Sequence, residues 1–288
     1  MEKPLFTGAC TALVTPFLDD KVNYPMMEQL IRRQMDAGIR SIVICGTTGE
    51  APTLSDQEKL ELFHRAKSYV GNDCQIIAGT GSNWTSHAAE LSQQAEKLGV
   101  DALLVVSPYY NKATAEGLVA HYLTVAHTVS IPIIAYNVPG RTGVDISVSV
   151  YQRLSHIPNM AGIKEASTDI TKVTKLCQSC KDFTVWTGND DLTVAAISLG
   201  AKGVISVLSN LFPAQTQAMA LAALSGDVET ASALQQELQP LIELLFCEPN
   251  PIPVKTAMKY IGYDCGGCRL PLTQLSKENK QRLDAYFG

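Results

Sequence analysis

Short apolar, β-branched runs alternate with longer amphipathic stretches along most of the 288-residue chain. The runs at 10–14, 41–45, 75–79, 102–106, 131–136, 160–164, 184–187 and 203–207 predict strands. Between them, 24–37, 55–70, 84–98 and 114–128 repeat apolar residues every three or four positions, as a helix with one buried face requires. Ser55-Asp-Gln-Glu58 fits a capping box, and Gly38, Gly99 and Gly200 stand just past helical stretches. Strands apolar at nearly every position are buried on both faces, which requires a parallel sheet under helices. Eight such units predict an α/β chain closed into a (β/α)8 TIM barrel. The competitor, an open dinucleotide-binding sheet, lacks its sign: no G-x-G-x-x-G follows the first strand. After the eighth strand the pattern turns to helix upon helix, at 214–224, 228–245, 253–261 and 277–286. The first of these closes the barrel. The predicted division is a barrel over 1–225 and a small C-terminal helical domain over 226–288.

Composition narrows the partners. With 46% hydrophobic and 18% charged residues the chain can build a large core. A net charge of −5 and the lack of any basic run exclude an electrostatic footprint for nucleic acid or an anionic membrane. The first residues show no charged-then-apolar signal organisation, and no uncharged apolar stretch is long enough to span a bilayer, so the expected location is cytoplasmic. Small molecules and other copies of the chain are the expected partners. Four of the eight cysteines form the pairs Cys177-x-x-Cys180 and Cys265-x-x-Cys268, which invite a zinc reading. The two pairs lie too far apart for a compact zinc ribbon, and core or surface thiols are the better reading.

In a barrel of this kind the chemistry sits at the C-terminal strand ends. The second strand ends in Cys45-Gly-Thr-Thr-Gly-Glu50, where two glycines let successive N–H groups turn inward as a nest for an anion. An ordinary glycine-rich turn has the same composition. The fourth ends in Ser107-Pro-Tyr-Tyr-Asn111; alternation forbids Tyr109 and Tyr110 from sharing one core layer, so one of them reaches another surface. The fifth ends in Tyr136, suited to relay protons, followed by Arg141 in a restricted loop, a planar fork for a carboxylate. The sixth, Met160-Ala-Gly-Ile-Lys164, puts Gly162 and Lys164 on one face. A charged, unpaired lysine in a barrel mouth is costly, which favours the neutral nucleophile, although taken alone Lys164 reads better as a snorkelling strand-end lysine. Gly188 ends the seventh strand, and Ile205 in the eighth offers an apolar wall.

Together these segments resemble a known family. Gly46-Thr-Thr-Gly-Glu50, Pro108-Tyr-Tyr-Asn111, Tyr136-Asn-Val-Pro-Gly-Arg-Thr-Gly143, Gly162-Ile-Lys-Glu165 and Glu248-Pro-Asn-Pro-Ile-Pro-Val-Lys255 are similar, in order and spacing over nearly the whole length, to the dihydrodipicolinate synthases. The wider group of pyruvate-dependent class I aldolases and N-acetylneuraminate lyases shares the lysine and the phenol; Thr47-Thr48 and the Arg141 loop resemble the synthase branch. The resemblance implies that Lys164 forms a Schiff base with pyruvate, and that its enamine condenses with L-aspartate 4-semialdehyde to give 4-hydroxy-tetrahydrodipicolinate for lysine and diaminopimelate biosynthesis. It implies a proton relay of Tyr136, Thr47 and Tyr110, with Tyr110 donated by a neighbouring subunit. Thr47 and Thr48 would hold the pyruvate carboxylate, Arg141 that of the semialdehyde, and Gly188 and Ile205 would line the substrate. No metal or organic cofactor is implied, and the assembly implied is a homotetramer, a dimer of dimers. The alternative is another keto-acid aldolase or lyase of the same group.

One departure is informative. Feedback-inhibited members bind lysine at the tight-dimer interface through a histidine pair, an Asn and a Glu. The matching positions here hold Asp56, Lys59, Asn83 and His87, with Tyr109 retained. Loss of the Glu and gain of Lys59 set a like charge against the inhibitor's ammonium, so weak or absent lysine inhibition is expected.

Overall fold

The structure, a computed structural model, describes residues 4–181 and 183–288. Its strands are β1 (Gly8–Ala12), β2 (Phe17–Leu18), β3 (Lys21–Val22), β4 (Ser41–Ile44), β5 (Gln75–Gly79), β6 (Ala102–Val106), β7 (Ile133–Asn137), β8 (Met160–Glu165), β9 (Thr184–Thr187) and β10 (Gly203–Ser206). β2 and β3 form a small antiparallel hairpin; the other strands pair in parallel and close a barrel in the order β1-β10-β9-β8-β7-β6-β5-β4. The predicted TIM barrel is therefore the fold. Around it lie α1 (Tyr24–Asp36), α2 (Asp56–Val70), α3 (Thr85–Lys97), α4 (Ala115–Thr128), α5 (Pro139–Thr142), α6 (Val148–Leu154), α7 (Ile170–Ser179), α8 (Thr193–Ser198) and α9 (Pro213–Ser225). α10 (Val228–Leu245), α11 (Ile252–Tyr260) and α12 (Lys277–Phe287) complete the chain. Among the described residues no helix is long and apolar enough to cross a membrane.

Strand alternation divides the core in two. Ile42, Ile76, Leu103, Ile133 and Ile163 face outward and pack under the helices. Cys10, Val43, Ile77, Leu104, Ile134, Tyr136, Trp186 and Ile205 face inward and fill the barrel. Phe6 stacks on Trp186 at 4.7 Å between ring centroids, and Trp186 Nε1 donates to the Phe6 carbonyl, which ties the segment before β1 into this inner cluster. Gly162 is glycine because a Cβ there would lie 2.1 Å from the Thr184 carbonyl oxygen and 2.8 Å from the Trp186 ring.

Some expected bounds shift. β1 begins and ends two residues earlier than its apolar run suggests, because its backbone pairs with β10 from Gly8↔Gly203 to Thr11↔Ser206. Beyond that register the Val14 N–H turns to the Asn210 side chain instead. The segment carrying Arg141 is not a loop but the single turn α5, with Pro139 in its first turn and Gly143 closing it at φ 69°. The Ser55–Glu58 capping box forms in both directions at the start of α2.

On α4, His121 is buried; Nδ1 lies 3.0 Å from Thr85 Oγ1, and Nε2 has no partner among the described residues. Burial brings its pKa down to about 4. Its folded pKa thus lies below the unfolded value near 6.5, so between those values the unfolded chain binds the proton first. Stability is expected to fall as pH drops through that window, by roughly 2–3 kcal/mol, and this contribution levels off below it. Urea midpoints at pH 7 and pH 4.5 check this: His121→Gln should show a smaller drop than the parent protein.

Candidate active site

The turn after β4 is built for close approach. Neither Gly46 nor Gly49 takes the left-handed conformation; Cys45 and Glu50 do, each at φ 56°. The glycines are needed for space, since a Cβ on Gly49 would lie 3.2 Å from the Cys45 backbone and the Leu13 carbonyl oxygen. The N–H groups of Gly49, Glu50 and Ala51 donate to the carbonyls of Gly46 and Thr47. Those of Thr47 and Thr48 have no partner among the described residues, which leaves adjacent donors for an anion.

Glu50 anchors this turn from behind. Its buried carboxylate accepts from Lys255 Nζ at 2.9 Å and from the Arg269 N–H at 2.9 Å. Lys255 Nζ also donates to the Gly267 carbonyl and sits 4.3 Å from the centroid of the Phe17 ring. The nearby Cys268 thiol is pushed up to about 12, chiefly by burial and then by Glu50. From α11's side, Asn250 Nδ2 donates to Thr48 Oγ1 at 2.9 Å, and the Asn250 carbonyl accepts from the Arg141 guanidinium at 3.1 Å.

On the far side of the barrel mouth, Asn137 holds the ends of β7 and β8 together. Its amide donates to Asp145 and Glu165, and its carbonyl oxygen accepts from the Ile146 N–H. Lys172 on α7 pairs with Asp145 and lies 3.5 Å from Glu165. These contacts fix the chain on both sides of α5, and with it Arg141.

Three lysines are almost fully buried: Lys164 is 5% exposed, Lys172 5% and Lys255 2%. Lys172 and Lys255 are paired with carboxylates, whereas Lys164 has no ion-pair partner among the described residues. Its amine lies 4.4 Å from the centroid of the Tyr136 ring. Its stem passes Gly188, where a Cβ would stand 2.7 Å from Lys164 Cε. Glycine at 188 is thus what gives the lysine its path. Ile205 belongs to the same inner cluster as Tyr136.

Beside these groups opens a cavity of about 630 Å³, walled by Thr47, Tyr136 and Arg141 and, further out, by Tyr109, Asp56, Lys59 and His87. Lys164, Thr48, Gly188 and Ile205 are not among the residues that line this cavity. Tyr110 does not line this cavity; it is 90% exposed, with φ 73°, while Tyr109 turns inward. Asn83 also lies off the cavity wall, its carbonyl accepting from Asn111. Asp56 is engaged by His87 Nε2 at 2.7 Å and by Lys59 Nζ at 3.4 Å. Burial raises the Asp56 pKa, but His87 and Lys59 outweigh it and hold the carboxyl below its ordinary range. Among the described residues no group of three or more His, Cys, Asp or Glu is arranged to hold a metal ion.

A buried, unpaired amine beside a phenol and next to free backbone donors is the arrangement an imine-forming enzyme needs. The Dihydrodipicolinate synthetase family model matches residues 5–287. The chain belongs to the dihydrodipicolinate synthetase family. A relative from Acetivibrio thermocellus, named 4-hydroxy-tetrahydrodipicolinate synthase, is 46% identical over 291 residues, covering 99% of each chain. The dihydrodipicolinate synthase of Aquifex aeolicus superposes with a TM-score of 0.96 at 41% identity, over 98% of this chain and 97% of that one. The chloride-inhibited enzyme from Acinetobacter baumannii, solved with pyruvate, gives 0.95 at 41% identity over 97% of both chains.

For a chain of this synthetase family, the residues least visible in the sequence were Asn250, Glu50 and Lys255. Asn250 and Lys255 lie in the Glu248-Pro-Asn-Pro-Ile-Pro-Val-Lys255 segment and Glu50 closes the Gly46-Thr-Thr-Gly-Glu50 segment, but neither pattern indicates that the two meet.

Proposed function

We propose that this chain condenses pyruvate with L-aspartate 4-semialdehyde through an imine on Lys164, giving 4-hydroxy-tetrahydrodipicolinate. The observation that carries the reading is the contrast among the buried lysines: Lys164 alone of the three has no carboxylate partner among the described residues, and it faces Tyr136. The Lys164 amine attacks the pyruvate ketone, and the adduct loses water to form the imine. Loss of a methyl proton gives the enamine, whose carbon attacks the aldehyde as the aldehyde oxygen takes a proton. The amine of the adduct then attacks the imine carbon, closes the ring and releases Lys164.

Thr47 and Thr48 hold the pyruvate carboxylate through their unpartnered N–H groups, and Arg141, braced on the Asn250 carbonyl, holds the carboxylate of the semialdehyde. Tyr136 and Thr47 move protons at the cavity wall, and Gly188 and Ile205 shape the space behind it. Tyr110 completes the relay in a neighbouring protomer; its exposure on an isolated chain supports this, and with it the assembly of two tight dimers into a tetramer.

Borohydride reduction in the presence of pyruvate, followed by peptide mapping, tests the imine. A pyruvate-derived mass on the Lys164 peptide is expected, and its absence overturns the reading. A coupled assay with aspartate semialdehyde separates the synthase from a keto-acid lyase.

Turnover is expected to persist in submillimolar lysine. Among the described residues the one carboxylate on the cavity wall, Asp56, is already held by Lys59 and His87, so an incoming ammonium meets a positive charge with no free partner. Substantial inhibition in a steady-state assay at that concentration contradicts this.

A further inference from the structure

We propose that Asn250 is a positioning residue that sets the direction of the Thr48 hydroxyl and so holds its proton for the pyruvate carboxylate. The inference rests on the imine reading above and assigns one of its binding donors to a residue more than two hundred positions away.

A hydroxyl has one proton and two lone pairs. Asn250 Nδ2 donates to Thr48 Oγ1 at 2.9 Å, with both side chains buried. Thr48 Oγ1 is thus an acceptor toward the protein, and its own proton has no acceptor among the described residues. The Thr48 N–H is likewise without a partner. Both donors of one residue therefore remain for a ligand, at the turn whose geometry suits an anion.

The amide could in principle be turned over, with Asn250 Oδ1 taking the Thr48 proton. That would leave both N–H groups of the Asn250 amide buried without an acceptor. In the orientation observed one N–H goes to Thr48 Oγ1, and Oδ1, the other N–H and the Thr48 proton are without a partner among the described residues. Once a carboxylate takes the Thr48 proton, this orientation leaves one N–H unpaired where the turned-over one leaves two, and buried unpaired N–H groups are the costlier kind. The donor-to-Thr48 orientation is therefore the one a bound carboxylate favours. The same residue's backbone carbonyl braces Arg141 at 3.1 Å, and that contact does not depend on the side chain. Side-chain substitution thus separates the two carboxylate sites: pyruvate binding should suffer, and binding of the second substrate should not.

The test uses Asn250→Ala and, to keep the volume while removing both polar atoms, Asn250→Leu. The readout is the pyruvate concentration that half-saturates borohydride trapping at Lys164. An increase of about tenfold is expected, the size of a lost hydrogen bond to a charged group. The KM for aspartate semialdehyde and the melting temperature should stay near the parent values. In a Thr48→Val background the Asn250 substitutions should add nothing, since the hydroxyl they act through is gone. Equal rises for both substrates, or a full Asn250 effect in the Thr48→Val background, would show a mere strut and overturn the proposal. Parent protein that forms no Lys164 adduct overturns the imine reading and this inference with it. Adduct formation in the parent with unchanged half-saturation in both variants overturns the role of Asn250 alone.

Discussion

Lys164→Met is expected to lower turnover by about three orders of magnitude or more while the protein becomes no less stable, and even slightly more so. Methionine keeps most of the stem that passes Gly188 and lies against Tyr136, so packing is largely retained. The amine is lost, and with it the proposed covalent intermediate that would divide one difficult condensation into easier steps. Stability should not suffer because no ion pair is broken: the buried Lys164 amine has no carboxylate at ion-pair distance among the described residues. Residues kept for chemistry at the cost of stability behave in this way. Steady-state kinetics with both substrates, together with thermal melts, check both halves. Turnover within tenfold of the parent would remove Lys164 from the mechanism.

The same substitution at Lys255 should have the opposite stability effect. Lys255→Met leaves Glu50 buried with its charge and without the ammonium 2.9 Å away. Breaking such a pair from one side costs about 3–5 kcal/mol, which for a chain of this size is a drop in melting temperature on the order of 10 °C. Combining it with Glu50→Gln should recover the larger part, because the uncompensated charge disappears with its partner. Activity should fall in the single variant as well. Glu50 follows directly on Gly46, Thr47, Thr48 and Gly49, and a turn without its anchor no longer presents adjacent donors at one point. A double variant no more stable than Lys255→Met alone would mean that the pair is not what holds this turn.

Much of this arrangement is legible along the chain, and the failures have physical causes. β5, β6 and β9 fall on their predicted runs residue for residue, because each has a short apolar centre with polar residues close on either side, which leaves only one segment to bury. β1 does not, since its end is set by register against β10 and β4, which lie far along the chain. The β2–β3 hairpin escaped notice altogether; two residues per strand carry no period. In the turn after β4, Gly46 and Gly49 signalled an unusual backbone correctly, but the left-handed residues proved to be Cys45 and Glu50. Composition reveals where the chain is tight; it does not reveal which residue bears the unusual angles.

By itself the sequence determined the barrel and the face shared by Gly162 and Lys164. Each follows from a period of two or of three to four, and such periods are local properties of the chain. Only the tertiary structure decided which buried lysine is left unpaired, and which residues stand behind the Thr47-Thr48 turn. Asn250 reaches Thr48 across 202 positions, and Lys255 reaches Glu50 across 205. Those partners meet because the barrel closes and α11 packs beside its mouth. Hydrogen bonds and ion pairs are made at about 3 Å, so a sequence that places residues on the right faces still leaves open which of them will touch.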